Sequence, residues 1–180
     1  MLIVTGMPGS GKDEFIKVAR SMGYTDVHMG DTVRKYSRSQ NIDQKDYNIG
    51  KFAGRERQAH GMDIWAKRTS ENITDPGKTI VDGLRNVEEL EYFRNRFEDV
   101  MVVAIYANHD DRLTRILKRD REDDVKSPTE LNGRDERELS WGIGRVISLA
   151  DYMIVNDGTL EEFKTKAREF INKLKKEQQN

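Results

Sequence analysis

The chain has 180 residues, 36% hydrophobic and 35% charged, with a formal net charge of −1 and no cysteine. One domain with a sizeable core is the default at this length, and a near-neutral balance gives no electrostatic footprint for nucleic acid or for an anionic membrane surface. The absence of cysteine excludes disulfides, thiol catalysis and cysteine-based metal sites, and no apolar stretch approaches membrane-spanning length.

The chain opens on an apolar run that predicts a strand over Leu2–Thr5. Such a start leaves no room for a signal peptide, so a soluble, cytoplasmic protein is expected. Directly after it come Gly6, Met7, Pro8, Gly9, Ser10, Gly11 and Lys12, then a helix from Asp13 to about Met22 with Phe15, Ile16, Val18 and Ala19 apolar. A strand, a glycine-rich turn with a lysine and a helix together form a phosphate cradle. The glycines let successive backbone N–H groups converge on one anion, the helix directs its positive end at it, and Lys12 adds a full charge. Where such a loop ordinarily has Ser or Thr for magnesium, this chain has Asp13. A carboxylate is a good ligand for a hard cation, which makes Asp13 a candidate magnesium ligand; the competing role is capping of the helix.

A second strand is predicted over Asp26–Met29, followed by Gly30, Asp31 and, one helical turn further, Arg34. A long connection then runs from Gly30 to about Gly77, polar near residues 40–50, with helices on either side. The third strand, Thr79–Asp82, ends in a carboxylate followed by Gly83-Leu84-Arg85. Asp82 at a strand tip suits magnesium or its water shell, or else simply initiates a turn before Gly83. Arg34 and Arg85 would face one crevice at the strand tips, and two guanidinium groups suit a second, phosphate-bearing substrate. Asp31 could take a proton from an acceptor hydroxyl or orient Arg34.

Asn86-Val87-Glu88-Glu89 has the form of a capping box, and a fourth strand is predicted over Val100–Tyr106. Arg112, Arg115 and Arg119 recur on one helical face, with Arg121 just beyond. A second long connection, residues 120–135, leads to Arg134 and Arg137. Arginines on a closing flap stabilise the charge of a transferring phosphoryl group; two or three of these are expected to do so, the rest forming salt bridges. Gly142-Ile143-Gly144 lacks the third glycine of a dinucleotide fingerprint and reads as close helix packing or a hinge. The fifth strand is Tyr152–Val155; Thr159-Leu160-Glu161-Glu162 opens the last helix, whose stripe Phe163, Ala167, Phe170, Ile171 and Leu174 docks on the core, and residues 175–180 fray. His28, His60 and His109 have no ligand spacing, and Trp65 and Trp141 read as packing residues. Strands alternating with helices give an α/β fold with a parallel sheet covered on both faces.

Together, Gly6–Lys12, Gly30-Asp31 with Arg34, Asp82-Gly83-Leu84-Arg85, the run from Arg134 to Gly144, and Ala150-Asp151-Tyr152-Met153-Ile154-Val155-Asn156 resemble the archaeal adenylate-kinase-related, dephospho-CoA-kinase-like P-loop ATPases, over essentially the whole chain. The resemblance implies a P-loop NTPase of the nucleoside monophosphate kinase-like type: a three-layer αβα fold, about five parallel strands with the P-loop strand central, an acceptor-binding helical insertion (30–77) and a lid (120–135) on one domain (1–180). It implies that Arg34 holds an acceptor phosphate, that Arg57 lines the acceptor site, and that Asn156 lies near the ATP base. Asp82-Gly83-Leu84-Arg85 is one residue shorter than the Asp-Gly-Phe-Pro-Arg segment of adenylate kinases and lacks its proline.

The expectation is a magnesium- and ATP-dependent phosphotransferase acting on a small nucleotide-like acceptor of the AMP or dephospho-CoA type. Gly6, Met7, Pro8, Gly9, Ser10, Gly11, Lys12, Asp13, Arg119 and Asn156 would bind ATP, with Lys12, Arg121 and Arg134 acting on the transferred phosphate. Asp31, Arg34, Arg57 and Arg85 would bind the acceptor, and Asp13 and Asp82 would hold magnesium. No nucleic-acid or membrane partner is expected, and the protein would be a monomer or homodimer. The competing function is an ATP/AMP-binding regulatory protein or an ATPase with little kinase activity.

Overall fold

The computed structural model describes residues 1–119 and 125–177. Five strands, β1 (Leu2–Thr5), β2 (Thr25–His28), β3 (Thr79–Asp82), β4 (Met101–Tyr106) and β5 (Tyr152–Val155), form one sheet in the order β2-β3-β1-β4-β5, with every neighbouring pair parallel. The apolar runs therefore mark the strands to within a residue, and β1, which carries the glycine-rich loop, is central. The helices are α1 (Lys12–Ser21), α2 (Met29–Ser39), α3 (Asp46–His60), α4 (Ile64–Ser70), α5 (Val87–Arg96), α6 (His109–Arg119), α7 (Pro128–Trp141), α8 (Ile143–Ser148) and α9 (Leu160–Glu177).

The three layers arise from strand alternation. Leu2, Val4, Ile80, Val103, Ile105 and Ile154 pack with the inner faces of α1 and α9. Ile3, Val81 and Val102 face the other way, into a core with Val33, Phe52, Trp65, Leu90, Phe93 and Val146. The docking stripe of α9 is buried as its spacing predicts, with Phe170 against Phe15 and Tyr152. No helix among the described residues is long and apolar enough to cross a membrane.

Some local expectations hold and others are corrected. Gly11, not Asp13, is the N-cap of α1, and no side chain caps that end, so Asp13 lies in the first turn without a capping role. The Thr159 box is complete: the Thr159 N–H donates to Glu162 Oε2 at 2.7 Å and the Glu162 N–H to Thr159 Oγ1 at 3.3 Å. The Asn86 box is only half formed. Asn86 Oδ1 accepts from the Glu89 N–H at 2.7 Å, but the Glu89 carboxylate is taken by Arg57 and the Arg85 N–H. Residues 175–177 do not fray, because α9 continues to Glu177 and Lys175 Nζ donates to the Met22 carbonyl at 2.7 Å. The Gly142 break is a left-handed residue (φ 107°) that ends α7 and begins α8.

Ile171 is fully buried where α9 meets the sheet. Ile171→Ala is expected to cost about 2–5 kcal/mol and Thr159→Ala about 1 kcal/mol, read as shifts of the urea unfolding midpoint at unchanged slope. Equal costs would contradict a helix held by packing rather than by its cap.

Candidate functional site

The functional side chains gather at the C-terminal edge of the sheet, where parallel α/β folds bind ligands. The loop after β1 can take its shape only with glycine. Gly6 has φ 148°, and a Cβ there would lie 2.3 Å from the Ile105 carbonyl oxygen; Gly11 has φ 111°, and its Cβ would lie 2.3 Å from Asn156 Nδ2. The loop is braced from outside. Asn156 Nδ2 donates to the Ser10 carbonyl at 2.8 Å, and buried Arg112 donates to the Pro8 carbonyl at 3.0 Å while paired with Asp135 at 2.9 Å. Arg115 in turn donates to the Asn156 carbonyl at 3.0 Å. Arg112 and Arg115 are thus scaffold residues, whereas Arg119 lies 3.3 Å from Asp13 on the open side of the loop.

Lys12 Nζ folds back to the Gly6 carbonyl at 2.9 Å. Burial pushes its ammonium below the usual lysine range, with the charge of Asp82 acting against that. Burial by itself would raise the Asp82 carboxyl, but the hydrogen bond from His28 and the charges of Lys12 and Arg85 more than offset it and hold it below the usual carboxylate range. Asp82 Oδ2 lies 3.2 Å from His28 Nδ1, while among the described residues the buried Oδ1 has no hydrogen-bond partner and the Ser10 hydroxyl has none either. The hydrogen bond to Asp82 raises His28 to about 8, with burial opposing, and Asp26 sits 2.7 Å from its Nε2.

Two clefts meet here. The first runs along the loop and is lined by Lys12, Asp13, His28, Asp31, Asp82 and Arg119. The second, about 100 Å³, is lined by residues such as Val33, Ile49, Arg57, Trp65, Arg137 and Trp141. Gly30, Arg34, Gly83, Arg85 and Arg134 line both. A third hollow, on the far side of the loop, has Gly11, Arg115, Asn156, Leu160 and Phe163 on its walls.

The arginines of the second cleft are held by carboxylates from other helices. Arg85 pairs with Glu138, which raises its guanidinium against the lowering effect of burial. Arg134 lies 3.4 Å from Asp46, which also pairs with Arg137. Arg57 is fixed to Glu89 Oε1 by its Nε at 3.2 Å and Nη2 at 2.8 Å. Arg34 lies 3.1 Å from Asp31, on the face that their spacing predicts. The structure therefore brings together Lys12, Asp13, Asp31, Arg34, Asp82, Arg85, Arg119 and Arg134, sets Arg57 deeper, and puts Asn156 behind the loop. Arg121 lies outside the described residues, and residues 128–135 of the second long connection are the first half of α7.

Sequence reasoning missed His28, Asp46, Glu138 and the cleft-facing position of Trp141. Only His28 left a readable signal: it ends a strand as Asp82 does, and the β2–β3 register sets the two opposite each other.

The AAA domain family matches residues 2–139. UPF0200 protein Ta0179 of Thermoplasma acidophilum is 59% identical over 171 residues, covering 95% of this chain and 94% of that protein. UPF0200 protein MK0400 of Methanopyrus kandleri is 45% identical, covering 97% and 90%. Among solved structures, TT1252 from Thermus thermophilus superposes with a TM-score of 0.64 at 14% identity over 96% of both chains. A shikimate kinase from Bacteroides thetaiotaomicron gives 0.60 at 13% over 95% and 97%. At these identities the structural likeness is one of fold, that of the P-loop kinases. The chain belongs to the UPF0200 family, and its residues 2–139 to the AAA domain family, as a P-loop nucleotide-binding domain.

Proposed function

We propose that the protein is a magnesium-dependent phosphotransferase that moves the γ-phosphoryl group of ATP to a small nucleotide-like acceptor. The observation that carries this reading is the pair of clefts joined through Gly30, Arg34, Gly83, Arg85 and Arg134. Water needs no second cleft lined with arginine, whereas an acceptor that must meet the end of a triphosphate does.

The loop amides and Lys12 hold the donor phosphates, with Lys12 exchanging its carbonyl partners for phosphate oxygens. The base of ATP takes the hollow beside Asn156, with Arg119 near the phosphates. Residues 30–77 bind the acceptor, and residues 120–135 with the start of α7 act as the lid on a single domain. Arg34 and Arg85 orient the acceptor, and Arg134, shared by both clefts, meets the charge that spreads over the transferring group. The acceptor oxygen bonds to the γ-phosphorus as the bridging bond breaks and ADP leaves with the electron pair. A phosphate acceptor has no proton to lose; a hydroxyl acceptor gives its proton to Asp31.

The donor set fits magnesium: the partnerless Asp82 Oδ1 and the Asp13 carboxylate line the phosphate cleft. When bound, magnesium neutralises phosphate charge and aligns the γ-group.

A second reading, an ATP/AMP-binding regulatory protein or an ATPase with little kinase activity, draws on one observation. Asp13 replaces the usual hydroxyl residue and is engaged by Arg119. Coupled ADP production with AMP, other monophosphates and dephospho-CoA separates the two. Acceptor-dependent turnover is expected; ATP binding without it would select the second reading.

Lys12→Ala is expected to lower turnover about 10²–10³-fold and weaken ATP binding about tenfold or more in calorimetry. Arg34→Ala is expected to raise the acceptor KM about 10–100-fold while ATP affinity stays within about twofold, which steady-state kinetics with each substrate varied would read.

His28 adds a pH signature in the protein without nucleotide or magnesium. Its folded value of about 8 lies above the ordinary 6.5, so its contribution is fully present below pH 6.5 and lost as pH rises through 8. Urea stability should fall by at most about 2 kcal/mol across that window, and His28→Asn should flatten the fall.

A further inference from the structure

Arg57 is only 4% exposed, and its partner Glu89 is fully buried. Glu89 spends Oε1 on Arg57 Nε and Nη2 and Oε2 on the Arg85 N–H, and its own N–H is taken by Asn86. This carboxylate fixes the guanidinium in one pose, and the guanidinium carbon lies 4.7 Å from the centre of the Trp141 ring. One of its nitrogens makes no bond at all: Arg57 Nη1 is buried without a hydrogen-bond partner among the described residues. A buried unsatisfied N–H on a cation is costly, and a ligand that accepts from it relieves that cost.

Arg57 lines the second cleft and not the first, together with Ile49, Ala53, Trp65 and Trp141. It therefore belongs to the end remote from the loop, among apolar and aromatic walls that suit a planar ring. Among the described residues, the orphaned side-chain nitrogens there include Arg57 Nη1 and Arg137 Nε; Arg134 Nε, on a residue lining both clefts, makes no hydrogen bond either but lies in the Asp46 ion pair. The lining carboxylates are already committed, Asp46 to Arg134 and Arg137 and Glu138 to Arg85. Glu138 Oε2 also makes no hydrogen bond among the described residues but sits in the Arg85 ion pair, so the spare capacity beside Arg57 itself is that of a donor, since a guanidinium cannot accept.

Resting on the kinase reading above, we infer that Arg57 determines acceptor specificity, its free Nη1 selecting a nucleoside monophosphate whose base presents an oxo oxygen rather than an exocyclic amine at that point. An amine there would meet a donor with a donor and leave both buried and unpaired; an oxo group satisfies the orphan. Among the candidate acceptors this favours 6-oxopurine or oxopyrimidine monophosphates over AMP.

The test is calorimetric titration of the full chain, held with a non-hydrolysable ATP analogue and magnesium, with GMP, UMP and AMP. At least one oxo monophosphate is expected to bind about tenfold or more tighter than AMP. Arg57→Ala risks misfolding by stranding Glu89, so the decisive variant is Arg57→Lys, which keeps a cation for Glu89 but has no fork to supply the spare N–H. Its expected effect is loss of the preference, the ratio of AMP to oxo-monophosphate affinity moving to within about twofold of one. AMP binding as tightly as both oxo monophosphates, a preference that survives Arg57→Lys, or no binding of any of the three would each overturn the inference. The kinase reading fails separately: an oxo monophosphate bound through Arg57 but never phosphorylated in the presence of ATP sinks that reading and leaves the subsite standing. Efficient transfer to AMP with no oxo preference does the reverse.

Discussion

The parallel register of β2, β3 and β1 is the constraint on which the site depends. Val4 lies opposite Asp82, and Asp82 opposite His28, so the three chains leave the sheet side by side. Short connections then set the residues beyond each strand: the glycine-rich loop after Thr5, the Gly83–Arg85 turn after Asp82, and α2 directly after His28. A slip of one residue in β3 would turn Asp82 to the opposite face of the sheet, away from Lys12 and His28. The core enforces the register, because Ile80 and Val81 are buried on opposite faces and neither can move without exposing apolar surface. Hydrophobic packing thereby fixes a charged site, which electrostatics between exposed groups could not do.

The site divides its arginines between two duties that one side chain cannot perform together. Arg112 gives its donors to the Pro8 carbonyl and Asp135, and so holds the loop open to a phosphate without touching the phosphate itself. Arg34, Arg85 and Arg134 line the clefts, each set by a carboxylate from outside its own strand or helix or one turn away. A pre-positioned guanidinium loses less freedom when a ligand arrives, while its carboxylate keeps the empty cleft from accumulating unscreened positive charge.

Much of this was legible in the chain. Short β-branched runs bounded by turns marked the five strands, because a parallel sheet covered on both faces must be apolar throughout. The loop was legible because its glycines are demanded by backbone geometry alone. Arg34 and Arg85 were legible as strand-tip residues for the same local reason. Which arginine serves the scaffold was not. Arg112, Arg115 and Arg119 share one helical stripe, and only the approach of α7, the loop and Asn156 gives them different partners. Arg85 and Glu138, or Arg134 and Asp46, are joined by helices whose mutual packing no local pattern encodes. The Asn86 box shows the same limit: its local pattern is complete, yet Glu89 is drawn away by a buried guanidinium from α3.

Glu89 shows how one residue can couple two parts of the molecule. It is fully buried, so its charge is tolerable only with strong partners, and it has them: the Arg57 guanidinium and the Arg85 N–H. The first sets the remote end of the second cleft. The second fixes the backbone of Arg85, whose side chain lines both clefts. Arg57 at the remote end and Arg85 where the clefts meet are therefore referred to a single carboxylate, whose own N–H donates to the Asn86 cap. The separation of Arg57 from the Arg85 backbone is thereby fixed, because neither can shift without breaking its bond to the one buried carboxylate.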